Sequence, residues 1–277
     1  MAYLYETHLH TVHSSACGVS RGRDYIRRYI DAGFSGIIVT DHFFRGNTAI
    51  NRRLPWREWV NQFCRAYEET REAGERLGLD VFFGWEETFD GCDDYLVYGL
   101  DKAWLMEHPE SRGWSRGEQY RNVKQYGGCV VQAHPFRQRY YISCIHLSTG
   151  CVDAVEAANA GNDNQSYDGL AKRYADQLNL PVTAGSDIHD VEQFDWGDIF
   201  GVYLDKKMET TADYVRAITE KNIAGLRIPE GRCDYSGNEI VSLPVDIRDQ
   251  RDRSTGQGLR VFFEKGAARP HDTYGNL

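Results

Sequence analysis

The chain has 277 residues, long enough to bury a sizeable core in one α/β domain. With 41% hydrophobic, 13% aromatic and 26% charged residues it reads as a folded globular protein, not a disordered one. A formal net charge of −9 argues against a broad nucleic-acid surface, and no apolar run approaches the length of a membrane span. The seven cysteines include no CxxC pair, and the first residues, Met1-Ala2-Tyr3-Leu4-Tyr5-Glu6, carry neither the charged nor the apolar region of a leader. The expectation is a cytoplasmic protein with reduced thiols and no membrane partner.

Residues 3–8 read as a strand running into His8-Leu9-His10, two imidazoles one residue apart and so aimed to one side of an extended chain. A helix over about 21–32 follows, with Ser20 as its cap, Tyr25, Ile26, Tyr29 and Ile30 on one face, and Gly33 as its stop. Strand 34–40 delivers Asp41-His42 into a polar loop, 43–53, that holds Arg45, Arg52 and Arg53. Pro55 suits the first turn of a second helix, where Trp56, Trp59, Val60, Phe63 and Tyr67 recur at helical spacing. That aromatic stripe reads as core packing rather than as a base-stacking platform. Strand 79–85 runs into Glu86, and the turn Asp90-Gly91-Cys92-Asp93 leads to a strand over 94–100.

A helix near 116–126 precedes strand 128–133, which ends at His134-Pro135. Strand 152–158 carries Glu156 and gives way to Asn159, and Leu170, Tyr174 and Leu178 mark the next helix. Strand 181–186 runs into Asp187-Ile188-His189; strand 199–204 and a helix over 211–221 follow. Beyond about residue 223 the pattern weakens, and only 259–264 reads as a strand. Residues 1–222 are therefore expected to form the main domain and 223–277 an extension packed on it. Strand–helix alternation predicts parallel strands in a barrel or wound sheet. Five of the nine histidines stand just past apolar strand-like runs, as metal ligands at the C-terminal face of a barrel would.

The ordered set resembles the PHP (polymerase and histidinol phosphatase) superfamily, metal-dependent phosphoesterases on a distorted (β/α)7 TIM-like barrel. The H-x-H-T-x-x-S motif is matched by His8-Leu9-His10-Thr11-Val12-His13-Ser14, and T-D-H by Thr40-Asp41-His42. G-x-E is Gly84-Trp85-Glu86, A-H-P is Ala133-His134-Pro135, and G-S-D-x-H is Gly185-Ser186-Asp187-Ile188-His189. Any one motif is common; five in the family's order are specific.

The resemblance implies two or three divalent ions (Zn, Mn or Fe). It places His8, His10, Glu86 and Asp187 on one ion. Glu86 would bridge to a second, completed by His134 and a ligand from strand 94–100, and His42 and His189 would belong to a third. Two departures stand out. Where many members carry a His in H-x-x-G-x-G, this chain has Asp94, an oxygen ligand for the same ion. The usual Asp after the first-motif Ser is Ser15, which leaves the third ion to His13 or Cys17 for a further donor.

Arg137 and Arg139, just past His134, are candidates to grip a substrate phosphate, and Glu156 and Asn159 for a supporting or substrate role. Asp187, His189 and Arg137 are the expected catalytic residues. The implied activity is hydrolysis of a small phosphomonoester by a metal-bound hydroxide, with a small phosphorylated metabolite as substrate. The alternatives are a nuclease or oligonucleotide phosphodiesterase, or an inactive metal-stabilised binding module.

Overall fold

A computed structural model of the chain describes residues 2–90 and 93–267. Its elements begin with β1 (Tyr3–Leu9), α1 (Gly22–Asp31), β2 (Gly36–Val39), α2 (Trp56–Leu77), β3 (Asp80–Phe89) and β4 (Asp93–Tyr98). Next come α3 (Lys102–Glu107), α4 (Arg116–Gln125), β5 (Cys129–Gln132), β6 (Ile145–Ser148), β7 (Ala154–Asn159), α5 (Ser166–Gln177) and β8 (Val182–Gly185). Last are α6 (Gln193–Trp196), β9 (Gly201–Leu204), α7 (Thr211–Thr219), β10 (Ile223–Arg227), β11 (Val245–Arg248) and α8 (Leu259–Lys265). The expected turn at 90–93 includes Gly91 and Cys92, which lie outside the described residues.

One sheet runs in the order β10-β9-β1-β2-β3-β4-β5-β7-β8. It curls until the far edge returns to β1, where Leu9 bridges Ile188 and His10 N–H donates to Ile188 O at 3.0 Å. The result is the distorted, nearly closed (β/α)7-type barrel the sequence implied. The expectation of parallel strands holds only in part. β1, β2 and β3 are parallel, as are β5, β7 and β8, but β4 runs antiparallel to both its neighbours. β9 lies antiparallel to β1, and β10 to β9. The reversal of β4 matters for the site, because the first residues of this strand stand where its neighbours' last residues do.

The two faces of the sheet are visible in the packing. Tyr5, Ile38, Phe82, Leu96, Val131 and Ala154 fill the interior, while Leu4, Leu9, Ile37 and Val39 pack outward on Tyr25, Ile26 and Tyr29 of α1. In β1 a regular alternation would send His8 to the same face as Leu4. A register shift between Glu6 and Leu9 breaks that alternation and turns His8 and His10 inward. The backbone N–H groups freed there are not orphaned: Glu6 Oε1 accepts from Thr7 N, His8 N and Ser186 N at 2.8–3.0 Å, and Tyr29 donates to Oε2. Glu6 therefore ties β1 to the end of β8, where ladder bonds between the two are nearly absent.

α2 buries Trp59, Val60 and Phe63 against Phe43 and Trp85, so the aromatic stripe is core. The helix stops at Gly78, whose φ of 87° is the left-handed conformation that terminates helices. Ser20 does not cap α1 as expected; its hydroxyl donates to Asp190 and accepts from Val191 N, fastening the loop after β8. The run 259–264 is a helix, not a strand. Leu259, Phe262 and Phe263 share one helical face, and fully buried Phe262 packs on Tyr174 of α5, worth about 2 kcal/mol of burial. Two short strands that the sequence did not reveal, β6 and β11, pair in parallel beside the barrel. No helix among the described residues is long and apolar enough to cross a membrane.

Candidate metal centre

The strand ends bring the anticipated donors into one buried cluster. His8 and His10 come from the displaced end of β1, Glu86 from within β3, and His42 from the loop after β2, where it bridges Glu86. His134 and Asp187 follow β5 and β8 directly, and both have positive φ, 28° and 52°. Such backbone is strained for residues other than glycine and is held here by the surrounding bonds. Asp94 arrives from the start of the reversed strand β4, with Thr88 donating to its Oδ1 at 2.5 Å.

His8 Nε2 lies 3.2 Å from Glu86 Oε1 and 3.4 Å from Asp187 Oδ1, and His10 Nε2 lies 3.4 Å from Glu86 Oε2 and 3.1 Å from Asp187 Oδ1. His42 Nδ1 is 2.9 Å from Glu86 Oε2; His134 Nε2 is 3.4 Å from Glu86 Oε1 and 3.9 Å from Asp94 Oδ2. The donors gather into His8, His10 and Asp187; Glu86, Asp94 and His134; and His10, His42 and His189, each group with donor atoms within 4.8 Å of one another, while His8 and His134 also meet Glu156 in this way. Glu86 is 1% exposed, and neither of its oxygens accepts a hydrogen bond of good geometry. A buried carboxylate with both oxygens unmet, ringed by imidazole nitrogens, suits divalent cations and little else.

The surrounding bonds fix which ring nitrogens are free. His8 Nδ1–H donates to Glu156 Oε1 at 2.9 Å, and His189 Nδ1–H to the Asp187 carbonyl at 2.7 Å; both partners can only accept. Ser15 gives its one hydroxyl proton to Asp41, so His10 Nδ1–H must donate to Ser15 Oγ, 3.1 Å away. In each case Nε2 is left with its lone pair for a metal. Gly185 permits this approach of strands: a Cβ there would stand 2.4 Å from His8 Cβ and 2.5 Å from Glu156 Oε1.

Burial alone would lower the His8 pKa, but Glu156, Asp187 and Glu86 override it and hold the ring well above its ordinary value. Burial also opposes ionisation of Glu86 and Asp187. The histidines, and Arg137 beside Asp187, nevertheless keep both well below the usual carboxylate range. Burial, with His42 and His189 close by, pushes His10 well down. Asp94 rises to about 6, from burial and from Glu86 next to it.

The remaining candidates separate clearly. Glu156 supports the centre from behind, accepting from His8, from Asn159 Nδ2 at 2.8 Å and from His134 N at 3.2 Å. Arg137 reaches the centre through Asp187, with Nη1 2.8 Å from Oδ2, and donates to Asn159 and Asn162 as well. Arg139 is tied to Asp163 and to the Gly161 carbonyl at the rim. His13 is exposed beside Glu69 and does not line the cavity, whereas Cys17 does. The sequence reading missed Arg232, which binds Asp168 and the carbonyls of Asn159 and Asn162. It also missed Tyr140 and Tyr141 at the mouth. No metal-type spacing marks any of the three.

These elements define an α/β barrel whose clustered His, Asp and Glu side chains, a set that could hold metal ions, lie under an open cavity of about 740 Å³. No family model matches the chain, and no curated protein matches it by sequence. Among solved structures it is similar to a two-domain protein from Bacteroides vulgatus ATCC 8482, named as containing a predicted PHP-like metal-dependent phosphoesterase. That likeness has a TM-score of 0.54 at 18% identity and covers 80% of this chain; the chain spans only 64% of the length of the Bacteroides protein. It is also similar to PsfC from Pseudomonas syringae PB-5123, with a TM-score of 0.51 at 13% identity over 84% of this chain and 93% of that one. At such identities the likeness shows the fold alone, a distorted α/β barrel, and the PHP-like name of the Bacteroides protein is the one the five ordered motifs resemble.

Proposed function

We propose that this chain is a metal-dependent phosphoesterase that hydrolyses a small phosphomonoester. The observation that carries the reading is Glu86: a fully buried carboxylate with two unmet oxygens facing four imidazoles, in position to join two ions. Divalent ions at such a cluster supply activation of a water and neutralisation of phosphoryl oxygens. His8, His10, His42, Glu86, Asp94, His134, Asp187 and His189 are the proposed ligands, in two or three sites for Zn, Mn or Fe.

The chain's own residues do the rest. Arg137 neutralises the outer oxygen of Asp187 and, after its three bonds, keeps one N–H on each terminal nitrogen for a phosphoryl oxygen in the cavity it lines. Asp187 and His189 orient the reacting group, His189 being fixed through the Asp187 carbonyl. The cavity has the volume of a small-metabolite site. Cys17, Cys64, Cys129, Cys151 and Cys233 are free thiols, which suits the reducing cytoplasm we assign to the protein.

One observation favours the nuclease reading: Tyr140 is fully exposed and Tyr141 largely so at the mouth, surfaces on which a base could stack. The test is turnover of a panel of small phosphomonoesters and short oligonucleotides by native, chelated and Mn- or Zn-restored protein, with His10→Ala beside it. Turnover that vanishes on chelation, returns with metal and is absent in His10→Ala is expected. Undiminished turnover without metal would overturn the proposal, and far faster cleavage of oligonucleotides would replace the monoester by the nuclease reading.

A further inference from the structure

The three donor groups differ in charge. Two of them contain carboxylates, Asp187 in one and Glu86 with Asp94 in the other, but the outermost consists of His10, His42 and His189 alone. The rings of His42 and His189 each stack on His10, with centroids 4.4 Å away. The acid that might have served them is unavailable. Asp41 is buried, and its oxygens are taken by Thr11 N at 2.6 Å, Thr11 Oγ1 at 2.7 Å and Ser15 Oγ at 2.6 Å. Ser15 faces Asp41, and His13 faces Glu69.

Cys17 fills that gap. It lies on the loop after β1 and lines the cavity together with His42 and His189, its thiol beside both rings. A second observation points to a ligand beside the same His42 ring. Glu86, 1% exposed, directs an unmet oxygen to within 2.9 Å of His42 Nδ1, which is itself buried and without a hydrogen-bond partner.

We infer that Cys17 binds, as a thiolate, a metal ion held with His42 and His189, so that the outermost site of this centre is a mixed nitrogen–sulfur site. The inference rests on the metal-dependent reading above. A thiolate supplies the negative charge that three imidazoles lack, and on binding the thiol proton is released to solvent. It also makes this site softer than the two carboxylate groups, so it takes Zn or Co in preference to Mn.

The test uses the full chain, stripped of metal and titrated with Co(II) alone. The expected result is a thiolate-to-cobalt charge-transfer absorption in the near ultraviolet that saturates at about one equivalent. Cys17→Ser should abolish the band and lower bound cobalt by about one equivalent, while Cys144→Ser, a cysteine outside the cavity, changes neither. Cobalt bound without the band in the native chain, or a band that survives in Cys17→Ser, would overturn the assignment and leave the phosphoesterase reading standing. A chain that binds no cobalt and turns over no phosphoester would overturn both. The native spectrum decides even if the variant folds poorly.

Discussion

Replacing Glu156 by Gln should weaken metal binding without removing any ligand. Glu156 is buried and accepts three bonds, from His8 Nδ1 at 2.9 Å, Asn159 Nδ2 at 2.8 Å and His134 N at 3.2 Å. A glutamine offers one accepting oxygen and one donating amide. If the oxygen faces His8, the amide meets two donors, and Asn159 cannot turn to relieve it because its own oxygen accepts from Arg137 at 2.6 Å and from Gly161 N at 2.8 Å. If the amide faces His8, Nδ1 must become the acceptor and the proton moves to Nε2, the atom that faces Glu86 and Asp187. Either outcome disturbs the ligand. The loss of such a supporting partner typically costs 10–100-fold in affinity, about 1.4–2.7 kcal/mol. Competition of native and Glu156→Gln proteins against a chromophoric chelator measures it, with circular dichroism of the metal-free forms as the fold control. Equal affinities would refute the assignment of His8 Nε2 as the ligating atom.

Asp94→Asn should remove about one metal equivalent. Asp93→Asn should leave metal content unchanged and lower the melting temperature, since Asp93 holds buried Arg116 through bonds of 2.6 and 3.1 Å. Loading the stripped protein near pH 7 should release protons, because burial lowers the His8 pKa but Glu156, Asp187 and Glu86 raise it well above 6.5, and the ligating ring must be neutral; a pH indicator detects this. The same raised pKa stabilises the metal-free fold fully below 6.5 and is lost as pH rises through the folded value, so melting temperature without metal should fall as solutions become more alkaline. Arg137→Lys keeps a charge near Asp187 but gives up the bonds to Asn159 and Asn162, so KM should rise several-fold while metal content holds; unchanged kinetics would confine Arg137 to holding the loop.

The donors were legible because metal chemistry restricts which residue types can stand at strand ends, and their spacing survives in one dimension. Strand direction was not: the run Tyr95-Leu96-Val97-Tyr98 is as apolar backwards as forwards, and only the pairing with β3 and β5 shows its reversal. Asp94 could therefore be named as a donor without its reaching the site from a strand's start being apparent. The run 259–264 misled because Leu259, Phe262 and Phe263 fit a helical face while neighbouring Val261 and Phe262 carry strong β preference. Which of His13 and Cys17 lines the cavity depends on a loop whose path no local pattern encodes. Arg137 looked free for phosphate because its partners, Asn159, Asn162 and Asp187, are brought to it only by the closed sheet.

The register shift in β1 sets what kinds of change this strand can tolerate. Below the shift, Tyr5 faces the interior and Leu4 the helix layer; above it, His8 and His10 face the centre and Leu9 the helix layer. Substitutions can be absorbed on either side, because each half keeps its own facing. A change in length cannot. Loss of one residue between Leu4 and His8 would keep these facings by strict alternation but remove the shift, draw the paired imidazoles back from the centre by one residue's rise, about 3.3 Å, and leave Glu6 without the amides it holds. Among descendants of this chain, point changes should accumulate in the first strand while insertions and deletions stay out of it, and Glu6 should drift only together with the shift whose amides it holds.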